Sequence, residues 1–236
     1  MKSKVLVLLK FFLFIFLFTN CSLEKKYIEY NTFFENDISK IEEKNKIIDV
    51  KDYLLFIGSS SIVRWETINK DMYPYKVVRN GYGGAHYYDL IHFIERICKG
   101  HEKAKAIFIF VANDITGEEF GNHQDLKPRE VNKLFKSVYK KIRKILGDEI
   151  QVFVIETTPT PARWKSWNTI KRANDLINSY TEKEDRLFYI STRDFFLNNN
   201  GLPFNDYFVE DQLHLNLYGY KLWSKIIKNK IKNLLK

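Results

Sequence analysis

Ser60, Asp211 and His214 are the residues whose types could perform nucleophilic chemistry together. Ser60 stands in Gly58-Ser59-Ser60-Ser61, directly after the apolar run of residues 53–57, and a hydroxyl at a strand-to-helix turn is open to a substrate beside unpaired helix amides. Asp211 and His214 lie three residues apart, so one loop could deliver both a base and the carboxylate that orients it. Asn80-Gly81-Tyr82-Gly83-Gly84-Ala85 supplies a turn in which Gly84 could offer a backbone amide, and Ala112-Asn113-Asp114 supplies a side-chain amide. A serine nucleophile, a histidine base, an orienting aspartate and amide donors for a tetrahedral oxyanion are the parts of an acyl-transfer site. Taken singly, each also has a structural use. The serine run can cap a helix, the glycines can make a tight connection, Asn113-Asp114 can form an Asx-turn, Asp211 can cap, and His214 can pack beneath a helix.

The elements that must position these residues alternate. Short apolar runs at residues 53–57, 76–79, 106–111, 151–156 and 187–190 predict strands. Between and after them, helical patterns begin near Ile62 and run over 87–98, 128–146, 168–181 and from 216 to the end, with a further helix over 31–43. Such alternation argues for an α/β domain with a parallel sheet of about five strands covered on both faces, in three layers. Ser60, Gly84, Asn113 and the Asp211/His214 pair all follow strands, at the edge where parallel sheets collect their ligands.

The chain has 236 residues, 45% hydrophobic and 16% aromatic, enough for one large domain with a sizeable core. Lys2 and Lys4 precede an apolar stretch from Val5 to Phe18, broken by Lys10 and followed by Thr19-Asn20-Cys21. The stretch is short for a membrane span, which takes about 20 residues, and suits an export signal. It resembles a bacterial lipoprotein signal, in which Cys21 would become the lipidated first residue; an uncleaved anchor and an ordinary secretory signal are the alternatives. All three place the body of the protein outside the cytoplasm, in the cell envelope and held to a membrane in the lipoprotein case. The expected organisation is a signal over 1–20, a lipidated tether and helix over 21–50, and a catalytic domain over 51–236. Cys98 is then left without a partner and reads as a small buried hydrophobe. The net charge of +9 falls to +6 without Lys2, Lys4 and Lys10, and the basic tail from Lys221 has helical apolar spacing. A solvated helix face, or attraction to anionic headgroups, fits an exported chain better than nucleic-acid binding. No zinc-ligand spacing of Cys and His occurs.

Gly58-Ser59-Ser60, Gly84, Asn113-Asp114 and Asp211-x-x-His214 resemble, in order, the four blocks of the SGNH (GDSL-type) esterase/lipase family, and most closely a bacterial subgroup whose first block reads Gly-Ser-Ser-Ser. Trp65, the stretch Thr158-Pro159-Thr160-Pro161-Ala162-Arg163-Trp164 and Leu213-His214-Leu215-Asn216 followed by Gly219-Tyr220 and Trp223 extend the likeness from about Asn31 to the C-terminus. The resemblance implies a flavodoxin-like three-layer fold and a serine hydrolase without metal or organic cofactor. Ser60, Asp211 and His214 would form its triad, and the amides of Ser60, Gly84 and Asn113 its oxyanion donors. Three positions depart from the pattern. Ser59 replaces the usual aspartate, Gln212 replaces a frequent glycine, and Val111 stands where glycine is normal, where a branched side chain would narrow the space beside Asn113 or shift it. Arg163, Trp164 and Trp167 follow the fourth strand; an arginine beside aromatics suits a carboxylate, phosphate or sugar, while structural pairing and core packing are their other uses. The expected substrate is a short acyl ester, an O-acetyl group on an envelope glycan or the chain of a lysophospholipid. An acyltransferase and a binding lipoprotein that has lost turnover are the competing expectations.

Overall fold

Five short apolar runs become five parallel strands in the order β2-β1-β3-β4-β5 in a computed structural model that describes residues 32–117 and 125–235. The strands are β1 (Tyr53–Gly58), β2 (Lys76–Gly81), β3 (Ala104–Phe110), β4 (Gln151–Ile155) and β5 (Leu187–Ile190). The interior strand β1 is buried along its whole length, whereas the edge strand β2 is exposed at Lys76 and fully buried only at Val78 and Asn80. Helices α1 (Glu35–Lys46), α2 (Ser60–Val63), α3 (Ile68–Asp71), α4 (Tyr87–Cys98), α5 (Pro128–Leu146), α6 (Trp167–Thr181), α7 (Arg193–Phe196) and α8 (Leu217–Ile231) complete the fold. The signal, Cys21 and the start of the tether lie outside the described residues.

The period-2 geometry of the strands sorts their side chains onto two faces. Leu55, Ile57, Ile107, Ile109, Val152 and Val154 join the core beneath α1, α4, α5 and α6. Leu54, Phe56, Ala106, Phe108, Phe153 and Ile155 join the core beneath α8. On this second face Phe56, Phe108, Phe153 and Phe188 stack across four strands at centroid separations of 4.5, 4.9 and 5.0 Å. That ladder follows the register, in which Phe56 faces Phe108, Phe108 faces Phe153 and Phe153 faces Phe188.

Two expectations shift. The single helix expected from Ile62 is two short ones, because the chain turns to bury Trp65, whose indole N–H donates to Asp71 at 2.8 Å and whose ring lies on Tyr220 at 5.3 Å. The N-terminal helix expected over 31–43 occupies Glu35–Lys46, held by Arg96 of α4, which bonds both Glu35 and Glu42. Cys98 is fully buried, and burial pushes its thiol up, away from reactivity.

Val111 directly follows β3, with its side chain in the first core, beside a small cavity shared with Tyr87, Asp114 and Ile170. Asp114, buried behind it, accepts the Tyr87 N–H at 3.0 Å and so ties the end of β3 to the start of α4. Burial pushes its carboxyl from an ordinary 3.8 up to about 7, against the opposing pull of His86 and the Tyr87 amide. A carboxyl whose folded pKa is raised adds stability that is complete below 3.8 and lost as pH rises through about 7. Asp114→Asn keeps the acceptor and removes the ionisation, so the urea midpoint of the wild type should fall relative to that of this variant as pH rises from 4 to 8. Val111→Gly should lower stability by about 2–4 kcal/mol in urea unfolding, through a core cavity and a looser backbone.

Candidate active site

Ser60 is the first residue of α2, so its backbone N–H has no carbonyl four residues earlier to bond. The preceding Ser59 is buried, occupies the N-cap position and makes no side-chain cap hydrogen bond, so helix capping does not account for the serine run. Ser60 Oγ lies 2.9 Å from His214 Nε2, and His214 Nδ1 lies 2.6 Å from Asp211 Oδ2. The other carboxylate oxygen of Asp211 accepts the N–H groups of Leu213 and His214, each at 2.9 Å. Partial burial raises the Asp211 pKa, but the bonds from the His214 backbone and side chain and from the Leu213 amide outweigh it and bring the group down to about 2. An ionised carboxylate only accepts, so Nδ1 carries the ring proton and Nε2 is left to accept the Ser60 hydroxyl.

The loop that presents this pair is pinned at both ends. Val209 N–H donates to the His214 carbonyl, Asn216 N–H to that of Tyr207, and Phe208 bridges Leu215. Asn216 then caps α8 by accepting from Tyr218 and Gly219. Gly219 is required there, since a Cβ would stand 2.4 Å from the Tyr207 carbonyl oxygen. Gln212 adopts φ 54°, a left-handed conformation that explains why glycine suits the position, and its carbonyl accepts the Ala162 N–H.

Asn113 arrives from the end of β3. Its Nδ2 donates to the Ala85 carbonyl at 3.0 Å, and its Oδ1 accepts from Arg163 Nη2 at 2.8 Å. Ser60, Asn113, Arg163 and His214 line one cleft together with Thr158 and Thr160. Gly84 has φ +79° and is one residue from the carbonyl that holds Asn113, but it is not among the residues lining that cleft. Val111 is not among them either; it lines the separate cavity on the first core, so no branched side chain from this position narrows the space beside Asn113. Trp164 stacks on Trp167 at 6.2 Å and packs against the first core, outside the cleft lining. The bond from Arg163 to Asn113 was not foreseen from the sequence. The position of Arg163 after β4, next to β3 in the sheet, was the available signal.

The cleft opens between the loops after β1 and β3, where successive connections leave the sheet in opposite directions. Open parallel sheets with this strand order bind ligands at that point. Neither a scan of protein-family models nor a search of curated proteins finds a match. Solved structures do match. A candidate platelet activating factor from Streptococcus pneumonia superposes with a TM-score of 0.72 at 19% identity, over 84% of this chain and 92% of its own. A GDSL-like lipase from Bacteroides thetaiotaomicron gives 0.67 at 16% identity, over 84% and 98%. A candidate acylhydrolase from Bacteroides fragilis gives 0.67 at 17% identity, over 84% and 97%. With its 2-1-3-4-5 parallel sheet and helices on both faces, the chain has the three-layer fold shared by the GDSL-like lipase and the acylhydrolase.

Proposed function

We propose that the protein is a serine esterase that cleaves a short acyl ester. The reading is carried by the relay from Ser60 through His214 to Asp211, at 2.9 and 2.6 Å. His214 Nε2 takes the Ser60 proton as Oγ attacks the ester carbonyl, and Asp211 holds the ring in the productive tautomer and stabilises its positive charge. The oxyanion is met by the Asn113 side chain and the Ser60 amide; Gly84, which does not line the cleft, is left out of this role. Loss of one such donor raises the barrier by about 3 kcal/mol, roughly a hundredfold in rate. His214 then protonates the leaving alcohol, the alcohol departs, and a water activated by the same imidazole releases the acid and regenerates Ser60.

The cavity volume in the cleft is about 30 Å³, room for roughly two water molecules. The cleft is open to solvent, so this space bounds only the part of the acyl group beside Ser60, and a short acyl group, such as the acetyl of an O-acetylated glycan, fits it. An exported, lipid-anchored location through Cys21 belongs to the same proposal; it rests on Lys2, Lys4 and the apolar stretch before Cys21, and it would hold the enzyme close to envelope polymers.

Ser60→Ala and His214→Ala should each abolish turnover of p-nitrophenyl acetate while leaving far-UV circular dichroism and thermal midpoint within error of the wild type. Activity retained in either variant would overturn the triad. Across p-nitrophenyl esters of rising chain length, kcat/KM should be highest for acetate.

A further inference from the structure

An asparagine side chain can stabilise an oxyanion only if its NH2 end, not its carbonyl end, faces the cleft side of the site. The two ends have nearly the same shape, so the choice is made by neighbours. At Asn113 the neighbours are of opposite kinds. The Arg163 guanidinium, which can only donate, is 2.8 Å from Oδ1; the Ala85 carbonyl, which can only accept, is 3.0 Å from Nδ2. Turning the amide over would set two donors against each other at one end and two acceptors at the other. Arg163 also bonds the Ala112 carbonyl through Nη1, so its planar fork spans the residue before Asn113 and the side chain of Asn113 itself. One Nδ2–H goes to Ala85, and the other is left for the cleft.

We infer that Arg163 is a positioning residue, which locks the orientation of the Asn113 amide and strengthens its remaining N–H as an oxyanion donor. This rests on the esterase reading above. The guanidinium acts in two ways: it fixes the rotamer, and its charge on Oδ1 polarises the amide so that the far N–H becomes a better donor. The fork is itself anchored to the loop that carries the base. Arg163 N–H donates to Thr160 Oγ1 at 3.3 Å, and the adjacent Ala162 N–H donates to the Gln212 carbonyl, between Asp211 and His214. One stretch, residues 160–163, thereby sets the donor side of the site against its base side. Lysine cannot replace this arginine, because a single ammonium lacks the planar pair of donors that reach both Ala112 and Asn113.

The test is a double-mutant cycle with p-nitrophenyl acetate, using Arg163→Met and Arg163→Lys in the wild-type and Asn113→Ala backgrounds. Arg163→Met should lower kcat about tenfold to a hundredfold with KM unchanged, Arg163→Lys should restore little of it, and in the Asn113→Ala background the loss should shrink to about twofold or less. Equal losses in both backgrounds, or a raised KM with kcat kept, would overturn the inference, the second result marking Arg163 as a substrate ligand. A readout independent of turnover is the side-chain amide of Asn113 in a 15N-labelled protein, assigned by its disappearance in Asn113→Ala. Its signals should move in Arg163→Met and Arg163→Lys while the rest of the spectrum reports an intact fold, and unmoved signals would overturn the clamp. A wild-type chain that turns over no ester at all would instead remove the esterase reading, and the amide signals alone would then decide whether Arg163 orients Asn113.

Discussion

Gly58 is the point at which three strands are laced together, and the site depends on that closeness. Its carbonyl accepts the Tyr82 N–H from the end of β2, and the next residue, Ser59, donates to the Phe110 carbonyl at the end of β3, both at 3.0 Å. A Cβ on Gly58 would stand 1.9 Å from that Phe110 oxygen, and its φ of +151° is one few other residues adopt. Nothing larger than hydrogen fits. The consequence is that the loops bearing Ser60, Gly84 and Asn113 all leave the sheet at one level. Asn113 can then reach across to the Ala85 carbonyl, and Tyr87 to the Asp114 carboxyl, so the loop after β3 is fastened to the loop after β2 over the top of β1.

The hydrogen-bond partner of Ser60 comes from the other side of the sheet. His214 precedes α8, which lies on the aromatic face, where Trp65, Tyr220 and Trp223 pack closely. Tyr220 donates to the Ser61 carbonyl at 2.9 Å, so the helix that follows His214 is bonded directly to the turn that carries Ser60. Trp223 donates to Thr158 Oγ1 at 3.2 Å, which brings in the loop after β4. Ser60 and His214 are thus 154 residues apart in sequence and joined through a few polar bonds set in a dense aromatic core. Buried hydroxyl and indole groups normally find such partners, and here the partners are the loops of the site.

The sequence made the fold legible wherever burial dictated the pattern. A parallel sheet buried on both faces leaves continuous apolar runs, so β1, β4 and β5 were found within a residue at each end, and α4 and α5 had apolar spacings that fixed them outright. It failed where a side chain overrode local periodicity, as in the helix after β1 that breaks to bury Trp65. Ser60, Asp211, His214 and Asn113 could be picked out only as a set, following strands in the order that an acyl-transfer site needs, because each alone also has a use as a cap or in a turn. The orientation of Val111 was not. Alternation along β3 places it on the same side as Ile107 and Ile109, but which side faces the cleft depends on a crossover that no local pattern encodes. Arg163 was visible as a charge near the site, yet its partner Asn113 is 50 residues away in sequence.

Asp211 holds the His214 ring by direction more than by charge. Its side chain is 43% exposed, far from the buried aspartate one would choose to maximise attraction to a protonated imidazole. Water at that distance weakens Coulomb forces strongly, and the exposed Arg64, 4.0 Å away, opposes a positive ring only feebly for the same reason. What Asp211 retains is direction. Two backbone N–H groups hold one oxygen in place, Gln212 supplies the left-handed turn that brings them there, and the other oxygen is thereby aimed at Nδ1. Geometry of this kind survives exposure, because hydrogen bonds to fixed amides lose little to solvent when the loop that makes them is closed at both ends. The loop from Tyr207 to Asn216 meets that condition, so the tautomer of His214 is set by the shape of a turn more than by the depth of a charge.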